Sequence, residues 1–285
     1  MNVMPRPRLT ALFLLLSIVF ASDLVVIKLG LSGNPPLMFA GLRYLLGGLV
    51  LLLVMIALPK SRSINQRDLL TAILLGALAT IEFGCLYLGM QYISAGATSI
   101  LYYTQPIMVA ALATVFLKEP FSWKKAFALV FGFVGTLLIF LENFSAGLVS
   151  VGGFLVLSSA FSWAGGTIVF KKLIWNENFL FVTSVLLVSA GTFLLVFSIF
   201  FETALVVSLN LALTLMYLAV VCSAFGVALW FYLLKRHEAT QVSTWLFLVP
   251  LFGVLLGWLL LGEKVYLTEV VGMFCVGTSV LILNE

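Results

Sequence analysis

The sequence predicts an all-α integral membrane protein in which ten transmembrane helices form two inverted-topology five-helix repeats around a central cavity. Three observations favour this class: an apolar composition, a pattern that occurs twice about 144 residues apart, and a charge bias that reverses between the copies. Of the 285 residues, 63% are hydrophobic and 9% are charged, and the mean hydropathy is +1.22. These values lie outside the range of soluble domains.

Ten apolar runs in the chain are long enough to cross a bilayer, which takes about 20 helical residues. Residues 1–145 would form the first repeat and residues 146–285 the second, together making one membrane domain. The connections are short, so no soluble domain is expected. The runs lie near residues 9–29, 37–58, 69–90, 94–117, 122–141, 149–171, 179–200, 210–234, 239–261 and 265–283.

Each half contains a helix that proline interrupts. In the first half Ala95 begins this helix, Pro106 breaks it and Leu117-Lys118-Glu119 ends it. The second half repeats these landmarks at Ala239, Pro250 and Leu261-Gly262-Glu263. Each proline removes an amide and frees a carbonyl near the middle of the membrane, where only protein or water can satisfy it. Two such breaks at matching positions are typical of secondary transporters and predict a binding or gating role for both prolines.

The distribution of basic residues predicts the orientation. With both termini in the cytoplasm, 12 of the 15 Lys and Arg fall on the cytoplasmic side, as the positive-inside rule requires. The loop before Ala95 has no Lys or Arg, whereas Lys235-Arg236-His237-Glu238 precedes Ala239, so the second copy would be inverted. A bacterial cytoplasmic (inner) membrane is the expected location. The net charge of +4 is explained by this loop bias and indicates no nucleic-acid partner.

Several kinds of chemistry are missing from the sequence. The single histidine, His237, lies in a basic loop and not beside an intramembrane nucleophile or metal ligand. No phosphate-binding Gly-x-x-x-x-Gly-Lys-Ser/Thr motif occurs, so ATP is not expected to drive the protein. We therefore expect neither an enzyme nor a bound cofactor, and proton coupling stays open.

Three charged residues lie well inside predicted spans, Asp23, Arg43 and Glu82, and Lys28 lies nearer the outer end of the first span. Such charges are costly in hydrocarbon and normally face a cavity or a partner. Arg43 would either staple helices by pairing with one carboxylate, or bind a substrate carboxylate in a bidentate manner. One arginine cannot fully satisfy both acids, and an unmatched carboxylate could exchange a proton or accept a substrate ammonium. The set suits an amino-acid-like zwitterion.

Other polar and aromatic residues near the breaks are candidates for substrate contacts. Thr98, Tyr102 and Gln105 follow i, i+4, i+7 spacing, which places them on one helix face. A central tryptophan more often packs in a core than lines a binding site, yet aromatics away from the span ends could form a pocket wall. The additional candidates are Tyr103, Trp163, Thr244 and Trp245.

Small residues and two glutamates predict packing contacts. Ala128-x3-Gly132-x3-Thr136 and Gly253-x3-Gly257 have the spacing that allows close helix approach, within the chain or in a homodimer. Glu119 and Glu263 begin the loops after the broken helices, and each is expected to tie down the next helix as a hydrogen-bond acceptor.

The whole chain resembles the drug/metabolite transporter superfamily in its EamA-like ten-helix branch. The segments that carry the resemblance are Ala21 to Lys28, Pro35-Pro36 with Phe39 and Arg43, Ser94 to Ala97 through Pro106 to Lys118-Glu119-Pro120, Ser162-Trp163-Ala164 before Lys171-Lys172, and Gly262-Glu263. The resemblance implies a ten-helix inverted repeat that works by alternating access, with relatives that export amino acids, metabolites or drugs. Asp23 stands where relatives often have Asn, so the substrate does not carry over from any one of them.

Together these observations predict a secondary transporter that moves small amphipathic metabolites, amino acids first among them, out of the cytoplasm. Uptake or exchange of other metabolites or cationic drugs is the competing transporter hypothesis. A non-transporting receptor or scaffold is the alternative from another class, and minimal loops argue against it. The expected partners are a small-molecule substrate and the lipid bilayer, with the protein a monomer or a homodimer.

Overall fold

A computed structural model describes residues 6–31, 33–57, 65–141, 150–174, 178–203, 205, 207–261 and 265–284. Throughout these ranges the regular secondary structure is helical and no strand occurs. The helices are α1 (Arg6–Leu31), α2 (Pro36–Ala57), α3 (Gln66–Gly89), α4 (Ala95–Tyr102), α5 (Gln105–Leu112), α6 (Trp123–Ile139), α7 (Val151–Leu173), α8 (Phe179–Phe201), α9 (Leu209–Tyr217), α10 (Ala228–Arg236), α11 (Ala239–Thr244), α12 (Leu248–Leu261) and α13 (Leu267–Asn284).

Three short segments of different helical pitch lengthen some of these helices. A π segment at Ala113–Leu117 continues α5, and a second π segment at Leu218–Val227 joins α9 to α10. A 3-10 turn at Trp245–Phe247 joins α11 to α12, three residues before Pro250. Departures from α-helical pitch inside a long helix often accompany functional sites.

Eight helical segments of the described chain are long and apolar enough to cross a membrane. Two more helices, α6 and α13, are apolar but shorter: α6 has 17 residues, which is at the lower end of the spanning range. The predicted all-helical membrane class is therefore confirmed. The eight segments are Arg8–Ile27, Pro36–Ala57, Gln66–Gly89, Ala97–Leu117, Val151–Leu173, Phe179–Phe201, Leu209–Arg236 and Ala239–Leu256.

Glycines set the closest helix contacts. At Gly191 on α8, an added Cβ would lie 2.4 Å from the backbone N of Leu45 on α2. At Gly132 on α6, it would lie 2.5 Å from the ring of Phe247, so the predicted close approach of this span is found. The matching prediction for Gly253 is wrong within the chain, because an added Cβ there meets no atom within 4 Å.

Gly191→Ala is expected to destabilise the fold by about 1–3 kcal/mol, because a methyl group at this contact would push α2 and α8 apart. The measurement is the thermal unfolding midpoint of purified protein in detergent. Gly253→Ala is the control, since open space surrounds that position. Equal midpoints for the two variants would show that the contact at Gly191 is not tight.

Candidate functional site

Arg43 joins four segments of the protein. Its Nη2 lies 2.6 Å from Oδ1 of Asp23 on α1. Its Nη1 donates to the Tyr87 hydroxyl at 2.8 Å, and its Nε donates to the Ser223 hydroxyl at 2.9 Å. The guanidinium also lies 4.7 Å from the ring centroid of Tyr44. All three guanidinium nitrogens therefore have protein partners, and the stapling alternative for Arg43 describes this conformation.

Glu82 on α3 is the other acid predicted for the site, and Arg43 pairs with Asp23 and not with it. Within the described residues, its one hydrogen bond is donated by the Tyr102 hydroxyl to Oε1 at 3.4 Å, which is long for an O–H···O contact. The side chain is buried, with 7% of the residue exposed. Its carboxylate borders a cavity whose lining atoms enclose about 450 Å³, including the open mouth, and whose other walls include Ser162, Trp163 and Trp230.

A second cavity adjoins the first on the side of the ion pair. Its lining atoms enclose about 540 Å³, again including the mouth. It holds six of the predicted site residues: Asp23, Arg43, Tyr102, Tyr103, Gln105 and Trp163. The two cavities share Phe20, Phe83, Trp163 and Val227, so these side chains form the partition between them.

Besides Oδ1 of Asp23, which the ion pair with Arg43 accounts for, two buried polar atoms of cavity-lining residues have no hydrogen-bond partner in the described part of the chain. They are Oε1 of Gln105, a residue that is 1% exposed, and Nε1 of Trp163. Buried polar atoms are normally paired, so each unpaired one calls for an explanation. An unpaired acceptor and an unpaired donor on residues that line the same cavity are suited to a polar ligand.

Aromatic rings surround Trp163 edge to face. Its ring centroid lies 5.4 Å from that of Trp230, 5.9 Å from Tyr102 and 6.0 Å from Phe20. Edge-to-face pairs of this kind hold the rings in place beyond what burial alone gives. The side chains between the cavities therefore form an aromatic wall. The Glu82 carboxylate lies on one side of this wall and the Asp23–Arg43 ion pair on the other.

The first proline break helps to position these residues. The α-helix stops at Tyr102, and Pro106 lies in the first turn of α5, where its missing amide costs no hydrogen bond. The Thr104 carbonyl accepts from the amides of Ile107 and Met108 and starts the new helix. Because α4 ends at Tyr102, the predicted face shared by Thr98, Tyr102 and Gln105 is interrupted.

Three of the residues predicted to bind substrate lie outside both cavities. The Thr98 hydroxyl donates to the Ser94 carbonyl at 2.9 Å, and the Thr244 hydroxyl donates to the Thr240 carbonyl at 2.8 Å. Trp245 stacks on Phe13 with ring centroids 4.7 Å apart. Their side chains thus serve local helix geometry and packing in this conformation.

Four residues of the site were not predicted from the sequence. Tyr44 and Tyr87 lie within apolar spans, and a buried tyrosine hydroxyl usually needs a partner, so this signal could have found them. Trp230 carried the same signal as Trp163, a tryptophan inside a span. Nothing in the sequence marked Ser223, because its contact with Arg43 joins residues 180 positions apart.

Glu119 binds the first turn of α11, which begins the second broken helix. This contact lies at the end of the molecule that carries most of the lysines. Oε1 of Glu119 accepts from the Ala239 amide at 2.6 Å, and its Oε2 accepts from the Thr240 hydroxyl at 2.7 Å. Lys171 on α7 lies 3.7 Å from the same carboxylate. Glu119 was expected to tie down the next helix, and instead it caps α11 in the other half. Its counterpart Glu263 lies outside the described residues.

Glu119→Ala is expected to lower the stability by about 1–2 kcal/mol, because the buried amides of the first turn of α11 would lose a charged acceptor. The thermal midpoint in detergent measures this loss. Glu238→Ala is a matched control, since Glu238 pairs with Lys125 at a more exposed position and such pairs contribute little. A midpoint unchanged by Glu119→Ala would contradict the capping role.

Comparison with known proteins places the chain in a family. The sequence profile of the EamA-like transporter family matches the chain twice, at residues 9–141 and 150–285. "Uncharacterized transporter YvbV" of Bacillus subtilis is 29% identical over 288 residues, which cover 100% of this chain and 94% of that protein. A "Probable amino-acid metabolite efflux pump" of Salmonella typhimurium is 31% identical over 267 residues, covering 88% of this chain and 86% of the relative.

A solved crystal structure has the same fold. It superposes with a TM-score of 0.85 over 98% of both chains, at 13% identity. The family profile, in turn, covers nearly the whole sequence, and the described helices are long and apolar enough to span a membrane. The chain therefore belongs to the EamA-like transporter family and is an integral membrane transporter.

Proposed function

We propose that this protein is a secondary transporter that moves small amphipathic metabolites bearing an ammonium group, amino acids first among them, out across the cytoplasmic membrane. It would do so by alternating access, with ten spans in two inverted five-helix repeats and both termini in the cytoplasm. The proposal rests on the buried carboxylate of Glu82. No cation of the described chain pairs with it. In an aromatic cavity this acid is the natural partner for a positive charge.

The helix packing supports the inverted repeat. If residues 1–145 and 146–285 are equivalent, then α2 corresponds to α8 and α6 to α13, and both pairs pack side by side. In the same division α1 corresponds to α7, and the helix that contains α5 corresponds to the one that contains α12. The contact of α1 with α12 is accordingly repeated by the contact of α7 with α5. The double match of the family profile agrees with this division. In this arrangement α6 and α13 would be the two short spans that complete ten.

Because Arg43 already contacts other protein groups, we assign the contacts with an amino acid to other residues. The guanidinium is engaged by Asp23, Tyr87 and Ser223, so a bidentate contact with the substrate carboxylate would require that pair to open. We assign the ammonium to Glu82 instead. The unpaired Nε1 of Trp163 is then a donor for the carboxylate end, and Oε1 of Gln105 is an acceptor for other polar groups of the substrate.

The names of the relatives support the substrate class and the direction. The Salmonella relative is named as an amino-acid metabolite efflux pump, and one from Escherichia coli, 28% identical, has the same name. A second candidate substrate class is cationic drugs, and the engagement of Arg43 by protein groups favours it. The non-transporting scaffold is disfavoured, because two cavities with polar walls lie inside the helix bundle.

The proposal is tested with purified protein in liposomes, screened with radiolabelled amino acids, polyamines and nucleosides, with and without a pH gradient. Saturable counterflow of an amino acid is the expected result, and a response to the pH gradient would add proton coupling. Flux of a nucleoside with none of any amine or amino acid would refute the substrate class while leaving the transporter family unaffected.

A further inference from the structure

A pocket lined by lysines lies at the end of the protein that Glu119 fastens, apart from the two central cavities. Its lining atoms enclose about 1410 Å³, including open space. The lysines come from three separate places in the chain: the turn after the first π segment, the last turn of α7 and the last turn of α10. They are Lys118, Lys171, Lys172 and Lys235.

The pocket keeps a positive balance although two acids also line it. Glu119 accepts from the first turn of α11, and Glu238 lies 2.6 Å from Lys125, which is outside the lining. Lys171 also lies 3.7 Å from Glu119, but four lysines against two carboxylates leave the lining with a net positive charge. Burial and neighbouring cations lower the pKa of the adjacent His237, so its ring adds no charge at neutral pH. An anion entering the pocket would meet cations whose charge is only partly balanced.

The backbone at Lys118 has a conformation that is unusual for a lysine. Lys118 has φ +56°, and in the described chain it is the one residue other than glycine with a left-handed backbone. Glycine adopts this conformation at the least cost. In the second copy of the sequence repeat, the equivalent position is Gly262. The first copy therefore has a lysine at a place where the backbone prefers glycine.

One wall of the pocket is an exposed aromatic side chain near the end of a spanning segment. Phe116 belongs to the spanning segment Ala97–Leu117, and 52% of it is exposed. The Lys172 ammonium lies 5.9 Å from the centroid of its ring. Exposed aromatic surface inside a span, bordered by lysines at the span end, suits an amphipathic anion better than a freely soluble one.

We propose that this pocket binds the phosphate headgroup of an anionic phospholipid, with an acyl chain against Phe116. The headgroup would bridge the ends of α7 and α10 to the turn at Lys118. This inference does not depend on the transported substrate, because the pocket and the central cavities have no residue in common.

The test compares wild type with the double variant Lys118→Gly, Lys172→Gln. Lys118→Gly removes a charge while giving the backbone the residue that its conformation prefers. Lys124→Gln is the control, since Lys124 is an exposed lysine on α6 outside the pocket. Thermal midpoints are measured in uncharged detergent with added phosphatidylglycerol or phosphatidylcholine, and bound lipids are counted by native mass spectrometry.

Phosphatidylglycerol is expected to raise the midpoints of wild type and Lys124→Gln, with at least one lipid retained in the gas phase. The double variant should lose most of this rise and of the retained lipid. An equal rise in all three proteins would overturn the site. The same rise with glycerol 3-phosphate or inorganic phosphate alone would overturn the lipid as the occupant.

Discussion

Arg43→Met is expected to destabilise the protein by about 3–5 kcal/mol, because it leaves the carboxylate of Asp23 buried without its cation. It also removes the donors to Tyr87 and Ser223, which lie on two other segments. Arg43 is 2% exposed, so water does not readily replace the lost contacts. The thermal midpoint and the yield of monodisperse protein in detergent measure the effect.

The double variant Asp23→Asn, Arg43→Met separates the ion pair from mere packing. Breaking a buried pair by removing one partner is costly, whereas removing both charges is often nearly neutral. We therefore expect the double variant to be closer to wild type in midpoint than Arg43→Met alone. A double variant that is as unstable as the single one would contradict the assignment of the loss to an unpaired Asp23.

Glu82→Gln is expected to lower counterflow of an ammonium-bearing substrate by about 10- to 100-fold, with little change in the thermal midpoint. The change keeps the shape of the side chain and removes its charge. A hydrogen bond to a charged group contributes about 1.5–3 kcal/mol, and each 1.4 kcal/mol is a factor of ten in affinity. Counterflow in liposomes at matched protein density is the measurement.

Asp23→Asn is the comparison for Glu82→Gln, because it changes the other acid in the same way. Asp23 is paired with Arg43, so Asp23→Asn should lower the thermal midpoint more than Glu82→Gln does. If Glu82 also carries a coupling proton, Asp23→Asn retains uphill transport driven by a pH gradient, and Glu82→Gln loses it. Wild-type counterflow in Glu82→Gln would exclude Glu82 as the ammonium site.

Much of the fold could be predicted because its signals are local. Long apolar runs predict the spans directly. The loop charges predict their direction without any knowledge of packing, and this orientation stays a prediction. The predicted span 122–141 is one residue longer than α6 at its start and two residues longer at its end, and Ser122 caps the helix at its start. Pro106 marked a real break, because a missing amide acts on the residues next to it.

The candidate site could be predicted only in part, because its contacts join residues that are far apart in the sequence. Asp23, Arg43 and Glu82 stood out as charges within spans, but nothing in the sequence decided which acid Arg43 would take. That choice depends on how α1 and α3 pack around α2. Thr98 and Thr244 looked like site residues, yet each hydroxyl bonds to a carbonyl four residues earlier, an option open to any threonine in a helix.

The measurement that tests the central claim most directly is counterflow of three matched compounds in liposomes: phenylethylamine, phenylalanine and phenylpropionate. They have the same aromatic end and differ in carrying the ammonium, both charged groups, or the carboxylate. Recognition of the ammonium by Glu82 predicts saturable flux of the amine and the amino acid, reduced in Glu82→Gln, and none of the acid. Saturable flux of phenylpropionate without flux of phenylethylamine would contradict it.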